Sequence, residues 1–127
     1  MSDELQMKAA LQAYLDALNR GDLATILDLY APGATVEDPV GAPVRTTREE
    51  IAAMYQQAVD AGFSYRLSAP IRASHADAAA LAFECSGATP DGQLTIRVID
   101  VMRFDAAGKI RSMQAFWGPS DVTLAAA

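Results

Sequence analysis

The sequence predicts an α+β domain in which three N-terminal helices pack against a cone-shaped, curved and mostly antiparallel β-sheet. Apolar residues recur at helical spacing in the first half of the chain, and alternating strand patterns replace them after Gly62. The 127 residues, 51% of them hydrophobic, suit one domain spanning residues 1–127 with a single core. A sheet that curls around its helices leaves an apolar cavity between the two layers.

Two helices are predicted before residue 32. The first presents one apolar stripe, formed by Met7, Leu11, Tyr14 and Leu18. Gly21 is expected to end this helix, because glycine adopts a left-handed conformation without strain, and Asp22 can cap the next helix. The second helix repeats the stripe and ends before Pro32-Gly33; its apolar residues are Leu23, Ile26, Leu27 and Tyr30.

A third helix is predicted from Thr47, which stands three residues before Glu50 in the spacing of a capping box. Its inward face would carry Ile51, Met54, Tyr55 and Ala58. Each predicted helix thus has one tyrosine on its apolar side. Because a buried tyrosine hydroxyl needs a partner, Tyr14, Tyr30 and Tyr55 either form a hydrogen-bonded chain ending in the cavity or bond separately to nearby carbonyls.

Strands are predicted over residues 64–75, 78–87, 93–104 and 109–118. Residues typical of turns separate the later strands, at 89–92 and 105–108. A short additional strand over residues 35–38 would end at Pro39, because proline cannot donate a hydrogen bond to a neighbouring strand. The alanine-rich C-terminus is expected to be frayed.

Charge and cysteine content argue against several classes of protein. Ten basic and sixteen acidic residues give a net charge of -6, whereas binding to nucleic acid or an anionic membrane needs clustered lysine and arginine. The lone Cys85 excludes an internal disulfide and suits a reducing compartment. With no basic start typical of a signal peptide and no apolar run of membrane-spanning length, the protein is expected to be cytoplasmic.

Cys85 and His75 can carry chemistry in other proteins, but their surroundings favour structural interpretations. Cys85 lies in an apolar strand-like run, which favours a small buried hydrophobe over a nucleophile. His75 is the only histidine and lacks the neighbours of a metal site, which favours a position at the surface or at a strand end. The glycines stand at turns rather than in a phosphate-binding loop. We therefore expect no metal, nucleotide or redox cofactor.

Asp100 is the most informative polar residue. It shares one face of its predicted strand with five large apolar residues: Leu94, Ile96, Val98, Met102 and Phe104. A buried carboxylate normally finds a partner or takes up a proton, and desolvation can raise its pKa by roughly 3–5 units. Asp100 is therefore either a protonated hydrogen-bond donor in the cavity or a structural carboxylate paired with an arginine or a backbone amide. A strand slip or bulge that exposes Asp100 is the third interpretation.

Asp38 is the second candidate. Pro39 imposes an extended backbone on it, and the Asp-Pro-Val-Gly sequence begins a loop. A carboxylate there would lie at the cavity mouth, partly solvated and ionised, which suits a general base. The alternative is an aspartate that only initiates the turn.

Four segments carry a resemblance to a known family. They are residues 35–39 with Gly41, residues 70–75, residues 98–104 and residues 114–117, together with the three tyrosine positions. This set resembles the bacterial Δ5-3-ketosteroid isomerases, in register from about Tyr14 to Trp117. The resemblance implies the cone-shaped α+β fold shared with nuclear transport factor 2, a homodimer, and a small apolar steroid as substrate.

The resemblance also implies roles for individual residues. Asp38 resembles the base that moves a proton from C4 to C6 of a 3-oxo-Δ5-steroid, and Tyr14 and protonated Asp100 resemble the two donors to the dienolate oxygen. Ketosteroid isomerases are the known example of a carboxylic acid kept neutral at pH 7 for this purpose. The protonated state of Asp100 is therefore what the resemblance implies, not an independent prediction. Tyr30 and Tyr55 resemble the tyrosines that support Tyr14. The substrate-contacting positions would be Leu18, Met54, Phe83, Met102, Met113, Phe116 and Trp117.

Some positions depart from the family pattern and bear on the substrate. Thr46-Thr47 stands where glycine commonly occurs, Met54 where an aromatic residue can occur, and Ala82 where proline can occur. These departures concern the shape of the pocket and leave the catalytic set intact. Two alternatives to a steroid Δ-isomerase follow: a related cyclase or dehydratase acting on another carbonyl substrate, and a non-catalytic binder of apolar ligands.

Overall fold

The computed structural model describes residues 3–126, within which three α-helices and six strands form. The helices are α1 (Glu4–Arg20), α2 (Leu23–Asp28) and α3 (Arg48–Ala61). The strands are β1 (Tyr30–Glu37), β2 (Ser64–Leu67), β3 (Ala78–Thr89), β4 (Gly92–Phe104), β5 (Ile110–Phe116) and β6 (Val122–Ala125). A short 3-10 helix, Pro119–Asp121, connects the last two strands. None of these helices is long and apolar enough to cross a membrane.

The helix ends follow the predicted capping chemistry. Gly21 takes a left-handed conformation with φ of 67° at the end of α1, and the Asp22 carboxylate accepts a hydrogen bond of 3.1 Å from the backbone amide of Thr25. Thr47 and Glu50 form the reciprocal capping box at the start of α3, each accepting from the backbone amide of the other at 3.1 Å. The predicted starts of α2 and α3 are therefore confirmed.

The sheet is mixed and mostly antiparallel. Its strand order is β1-β5-β4-β3-β2, with β1 and β5 parallel and the other neighbouring pairs antiparallel. β6 also pairs with β4, beside residues 93–96, whereas β5 lies beside residues 99–104. The predicted α+β class, with helices against a curved, mostly antiparallel sheet, is confirmed.

The core lies between the helices and alternate side chains of the long strands. In β3 the buried series is Ala79, Leu81, Phe83 and Cys85, and in β4 it is Val98, Asp100, Met102 and Phe104. From the helices, Leu11, Ile26 and Ile51 are each buried against this face. Only one charged residue, Asp100, is buried among the residues that the structure describes.

Three element predictions were wrong. Tyr30 opens β1 instead of ending the second helix; β1 is an edge strand, where Pro32 and Gly33 are tolerated. β2 stops at Leu67 because residues 68–77 turn away, with only Arg72 bridging back to Ala80. The C-terminal segment was expected to fray, but it pairs with β4 as β6. It can do so because β5 covers only residues 99–104 of β4 and leaves the backbone groups of residues 93–96 free to pair.

Candidate active site

A cavity with about 610 Å³ of empty space, part of it open to solvent, lies between the helices and the sheet. Its walls bring together eight of the residues that were predicted to form the site: Tyr14, Leu18, Asp38, Met54, Tyr55, Phe83, Asp100 and Trp117. The lining is mainly apolar with a few polar groups, which is the usual composition of a small-molecule site.

Asp100 reaches the cavity from the middle of β4 and is 2% exposed. It pairs across the sheet with Leu81 on one side and Ala115 on the other, and the register is continuous through both pairs. A bulge or slip at Asp100 is thus not present. Arg97 bonds to the Ser120 carbonyl and the Thr123 hydroxyl instead, and no ion pair of the described residues involves Asp100.

Burial raises the pKa of the Asp100 carboxyl well above its ordinary value of 3.8. The nearby negative charge of Asp38 raises this pKa further, and the neighbouring Tyr14 hydroxyl acts in the opposite direction. A protonated Asp100 carries an O–H group that can donate a hydrogen bond inside the cavity.

The three tyrosines form a chain of hydroxyl groups. Tyr14 and Tyr55 are hydrogen-bonded at 3.0 Å, and Tyr55 and Tyr30 at 2.6 Å. Desolvation by burial raises the pKa of each of these hydroxyls well above 10.0, so all three keep their protons. Each hydroxyl has one proton, so a Tyr14 that donates to a ligand must accept from Tyr55, which must accept from Tyr30. Tyr30 itself does not line the cavity.

Asp38 lies where the carboxyl ends of two neighbouring parallel strands meet. It follows the last residue of β1, and Trp117 follows the last residue of β5, so the two side chains come together. The indole Nε1 of Trp117 donates a hydrogen bond of 3.1 Å to Oδ1 of Asp38. Both residues are half-buried. Asp38 therefore contacts the cavity from a more solvated position than Asp100 does.

The sequence reasoning did not assign five further lining residues: Ala58, Tyr65, Cys85, Ile96 and Val98. Strand alternation had placed two of them, Ile96 and Val98, on the same face of β4 as Asp100, without giving them a role at the site. The thiol of Cys85 is largely desolvated, which raises its pKa, as the buried-hydrophobe interpretation predicts. Tyr65 gave no comparable signal, since β2 is short and its pattern merges with the following loop.

Three expected wall residues lie elsewhere. Met102 and Met113 are paired with each other across β4 and β5 and are 0% and 1% exposed, deeper in the core than the cavity. Phe116 lies on the opposite face of the sheet because it alternates with the inward Ala115, and there it is 45% exposed. These three substrate-contact predictions are not supported by the geometry.

Within residues 3–126, no three His, Cys, Asp or Glu side chains lie close enough together to bind one metal ion. His75 is exposed in the loop before β3, as a surface histidine would be.

The chain is similar to one family of domains and to enzymes of two kinds, an isomerase and epoxide hydrolases. The model of the SnoaL-like domain family matches residues 11–113. A steroid Delta-isomerase from Nocardioides simplex is 44% identical over 119 residues, which cover 94% of this chain and 95% of that protein. The epoxide hydrolase LasB from Streptomyces lasalocidi is 30% identical over 145 residues, covering 96% of this chain but 51% of that protein. A solved structure of the epoxide hydrolase/cyclase-like enzyme SalBIII, described for its role in pyran ring formation in the polyether salinomycin, has a TM-score of 0.91 at 28% identity and covers 98% of this chain and 100% of its own.

Proposed function

The chain belongs to the SnoaL-like domain family and, within it, to the ketosteroid isomerases, and from this we propose that it is a steroid Δ-isomerase. The reaction converts a 3-oxo-Δ5-steroid into its conjugated 3-oxo-Δ4 isomer by proton transfer within the substrate, with no cofactor. The supporting observation is that one apolar cavity holds two carboxyl groups in unequal surroundings, the buried Asp100 and the half-buried Asp38.

Asp38 acts as the base in this proposal. Its carboxylate takes a proton from C4, the electrons move into a dienolate, and the resulting carboxylic acid returns the proton at C6. The substrate gains and loses one proton, so no oxidant or reductant is needed. A well-placed general base typically contributes about 10²–10⁴-fold to the rate. The hydrogen bond from Trp117 holds the carboxylate at the cavity wall.

Tyr14 and Asp100 act as the donors to the dienolate oxygen. Negative charge develops on that oxygen as the proton leaves C4, so donors already placed there lower the barrier. The raised pKa values of the Tyr14 hydroxyl and the Asp100 carboxyl keep both groups protonated and able to donate. Tyr55 and Tyr30 support Tyr14 by donating along the hydroxyl chain.

The test is a direct assay with a 5-ene-3-oxosteroid, in which the ultraviolet absorbance of the conjugated enone is followed. We expect turnover well above the rate in buffer without added metal or nucleotide. A folded protein that binds the steroid with no turnover would contradict the isomerase and favour a non-catalytic binder.

A cyclase acting on an epoxide is the second candidate, because SalBIII is described as an epoxide hydrolase/cyclase-like enzyme and LasB is named an epoxide hydrolase. Opening an epoxide needs an acid to protonate its oxygen and a base to activate a hydroxyl group, and Asp100 and Asp38 could take those roles. An epoxy-alcohol probe cyclised by this protein, together with no isomerisation of the steroid, would favour this candidate.

We also propose that the protein is a cytoplasmic homodimer. The outer face of the sheet exposes Val40, Ile99 and Phe116, at 40%, 48% and 45%, and such apolar patches mark protein interfaces. The free thiol of Cys85 suits a reducing compartment. Light scattering should give the mass of a dimer, and Ile99→Glu should shift it towards the monomer. A wild-type monomer would contradict this proposal.

A further inference from the structure

Tyr65 lines the cavity, and the proposed reaction does not use its hydroxyl. The other three tyrosine hydroxyls of the chain bond to one another, whereas that of Tyr65 has no hydrogen-bond partner within residues 3–126. Partial burial raises the pKa of Tyr65 to about 12, so the phenol remains a donor across the neutral range. A ligand that fills the cavity and displaces water would leave this hydroxyl unpaired unless it brings an acceptor.

The position of Tyr65 is fixed from two sides. The Asn19 side chain accepts a hydrogen bond of 2.7 Å from the Tyr65 backbone amide and donates one of 2.8 Å to its carbonyl. The Tyr65 ring also packs against Phe83 with ring centroids 6.1 Å apart. A hydroxyl held in this way loses little conformational freedom when it binds a ligand.

Tyr65 lies at a distance from the group that binds the reacting carbonyl. It pairs with Cys85 on β3, which pairs with Ile96 on β4, whereas Asp100 lies further along β4. The step from Ile96 to Asp100 is four residues on the same face, about 13 Å along the strand. Tyr65 is in addition two strands away from β4. The two donors are thus placed to contact separate parts of a ligand that extends through the cavity.

We propose that the Tyr65 hydroxyl is a specificity-determining group that donates a hydrogen bond to an oxygen at the end of the steroid remote from the reacting carbonyl. This rests on the proposed isomerase function and names its substrate class more narrowly: rigid 5-ene-3-oxosteroids with a second oxygen acceptor on the far ring. A site built to bond such an oxygen disfavours analogues that lack it, because its own donor is then left unpaired.

The experiment compares wild type with Tyr65→Phe on two substrates, a 5-ene-3-oxosteroid with a carbonyl at C17 and its 17-deoxy counterpart. The measured quantity is the ratio of their kcat/KM values. We expect the substitution to lower this ratio about 2- to 12-fold, which corresponds to the loss of one neutral hydrogen bond. Most of this change should be an increase in KM for the 17-oxo substrate. If Tyr65→Phe only disturbs the fold, both kcat/KM values should fall together and their ratio should stay unchanged. That result would overturn the inference.

A binding measurement separates this inference from the isomerase proposal. Trp117 is the only tryptophan and lines the cavity, so its fluorescence reports occupancy by the two conjugated product steroids. Tighter binding of the 17-oxo steroid by wild type, with that preference reduced in Tyr65→Phe, would support the inference even if no substrate turned over. Equal affinities for the two steroids in wild type, or binding of neither, would overturn it.

Discussion

Oδ1 of Asp38 accepts a hydrogen bond of 3.1 Å from the indole Nε1 of Trp117, 79 positions later in the chain. The parallel pairing of β1 and β5 brings the two residues together at the ends of their strands. The bond orients the carboxylate that the proposed reaction uses as its base. It also places a large apolar ring beside that carboxylate in the cavity wall.

Trp117→Phe should lower kcat/KM about 12- to 160-fold, because a hydrogen bond to a charged group typically contributes about 1.5–3 kcal/mol. The substitution keeps an aromatic wall and removes the indole donor. Steady-state kinetics with a 5-ene-3-oxosteroid measures the change. In the Asp38→Asn background the same substitution should have little further effect, since the group it orients is already absent. Equal losses in both backgrounds would show that Trp117 acts independently of Asp38.

Asp38→Asn should reduce kcat by about 10²–10⁴-fold, because the amide cannot take up the proton from C4. Asp91→Asn is the matched control, since Asp91 is an exposed carboxylate in the turn before β4 and should leave kcat within about twofold. Circular dichroism should show both variants folded. An Asp38→Asn enzyme with wild-type kcat would exclude Asp38 as the base.

Tyr14→Phe should reduce kcat about 10²–10³-fold, the usual effect of removing one donor to a developing oxyanion. Tyr30→Phe should reduce kcat far less, because Tyr30 acts on the ligand only through Tyr55 and Tyr14. Its main effect should be a loss of about 0.5–1.5 kcal/mol in the free energy of unfolding. Kinetics and denaturant titration of both variants measure these effects. Equal losses of kcat would mean that Tyr30 contacts the reacting group itself.

Asp100→Asn should flatten the dependence of stability on pH. The pKa of Asp100 is raised in the folded protein, so its stabilisation is complete below the unfolded value near 3.8 and is lost as pH rises towards the folded pKa. Over that window the wild type should lose about 1.4 kcal/mol per pH unit relative to the variant. Denaturant unfolding at pH 5, 6 and 7 measures the difference.

Other shifted carboxyls do not disturb this comparison. The pKa of Asp22 is lowered to about 2 by its bonds to Thr25 and Arg20, and those of Glu37, Glu50 and Asp77 are also lowered by hydrogen bonds. The stability that these four groups contribute is lost only as pH falls below about 4.5, the ordinary pKa of the two glutamates, and so outside the measured range of pH 5–7. Parallel stability curves for wild type and Asp100→Asn would mean that Asp100 is ionised in the folded protein.

The sequence predicted those parts of the fold and site that depend on local chemistry. Helix ends at Gly21 and Thr47 follow from backbone conformation and capping, and the burial of Asp100 follows from strand alternation. The resemblance to ketosteroid isomerases added the expectation that Asp38 and Asp100 share one cavity, because alternation says nothing about which strands face each other.

The remaining features depend on pairing between distant segments. Tyr30 follows helical spacing, but hydrogen bonding to β5 makes it a strand residue. The tail becomes β6 only because β5 ends early enough to leave part of β4 unpaired. Phe116 and Trp117 are adjacent aromatic residues, yet only Trp117 lines the cavity that holds Asp100, because the register with β4 turns Ala115 inward and Phe116 outward.

The two hydrogen bonds of Asn19 have a consequence for the size of ligand that this protein accepts. Tyr14 and Asn19 belong to the same helix, and Asn19 holds the backbone of Tyr65. The backbone of Tyr65 is therefore tied to the helix that carries Tyr14, which restricts the spacing between the two hydroxyls. In the proposed reaction a ligand that bonds to both must match that spacing, so selection would be by molecular length. A stiff polycyclic skeleton meets this condition at a lower entropic cost than a flexible chain.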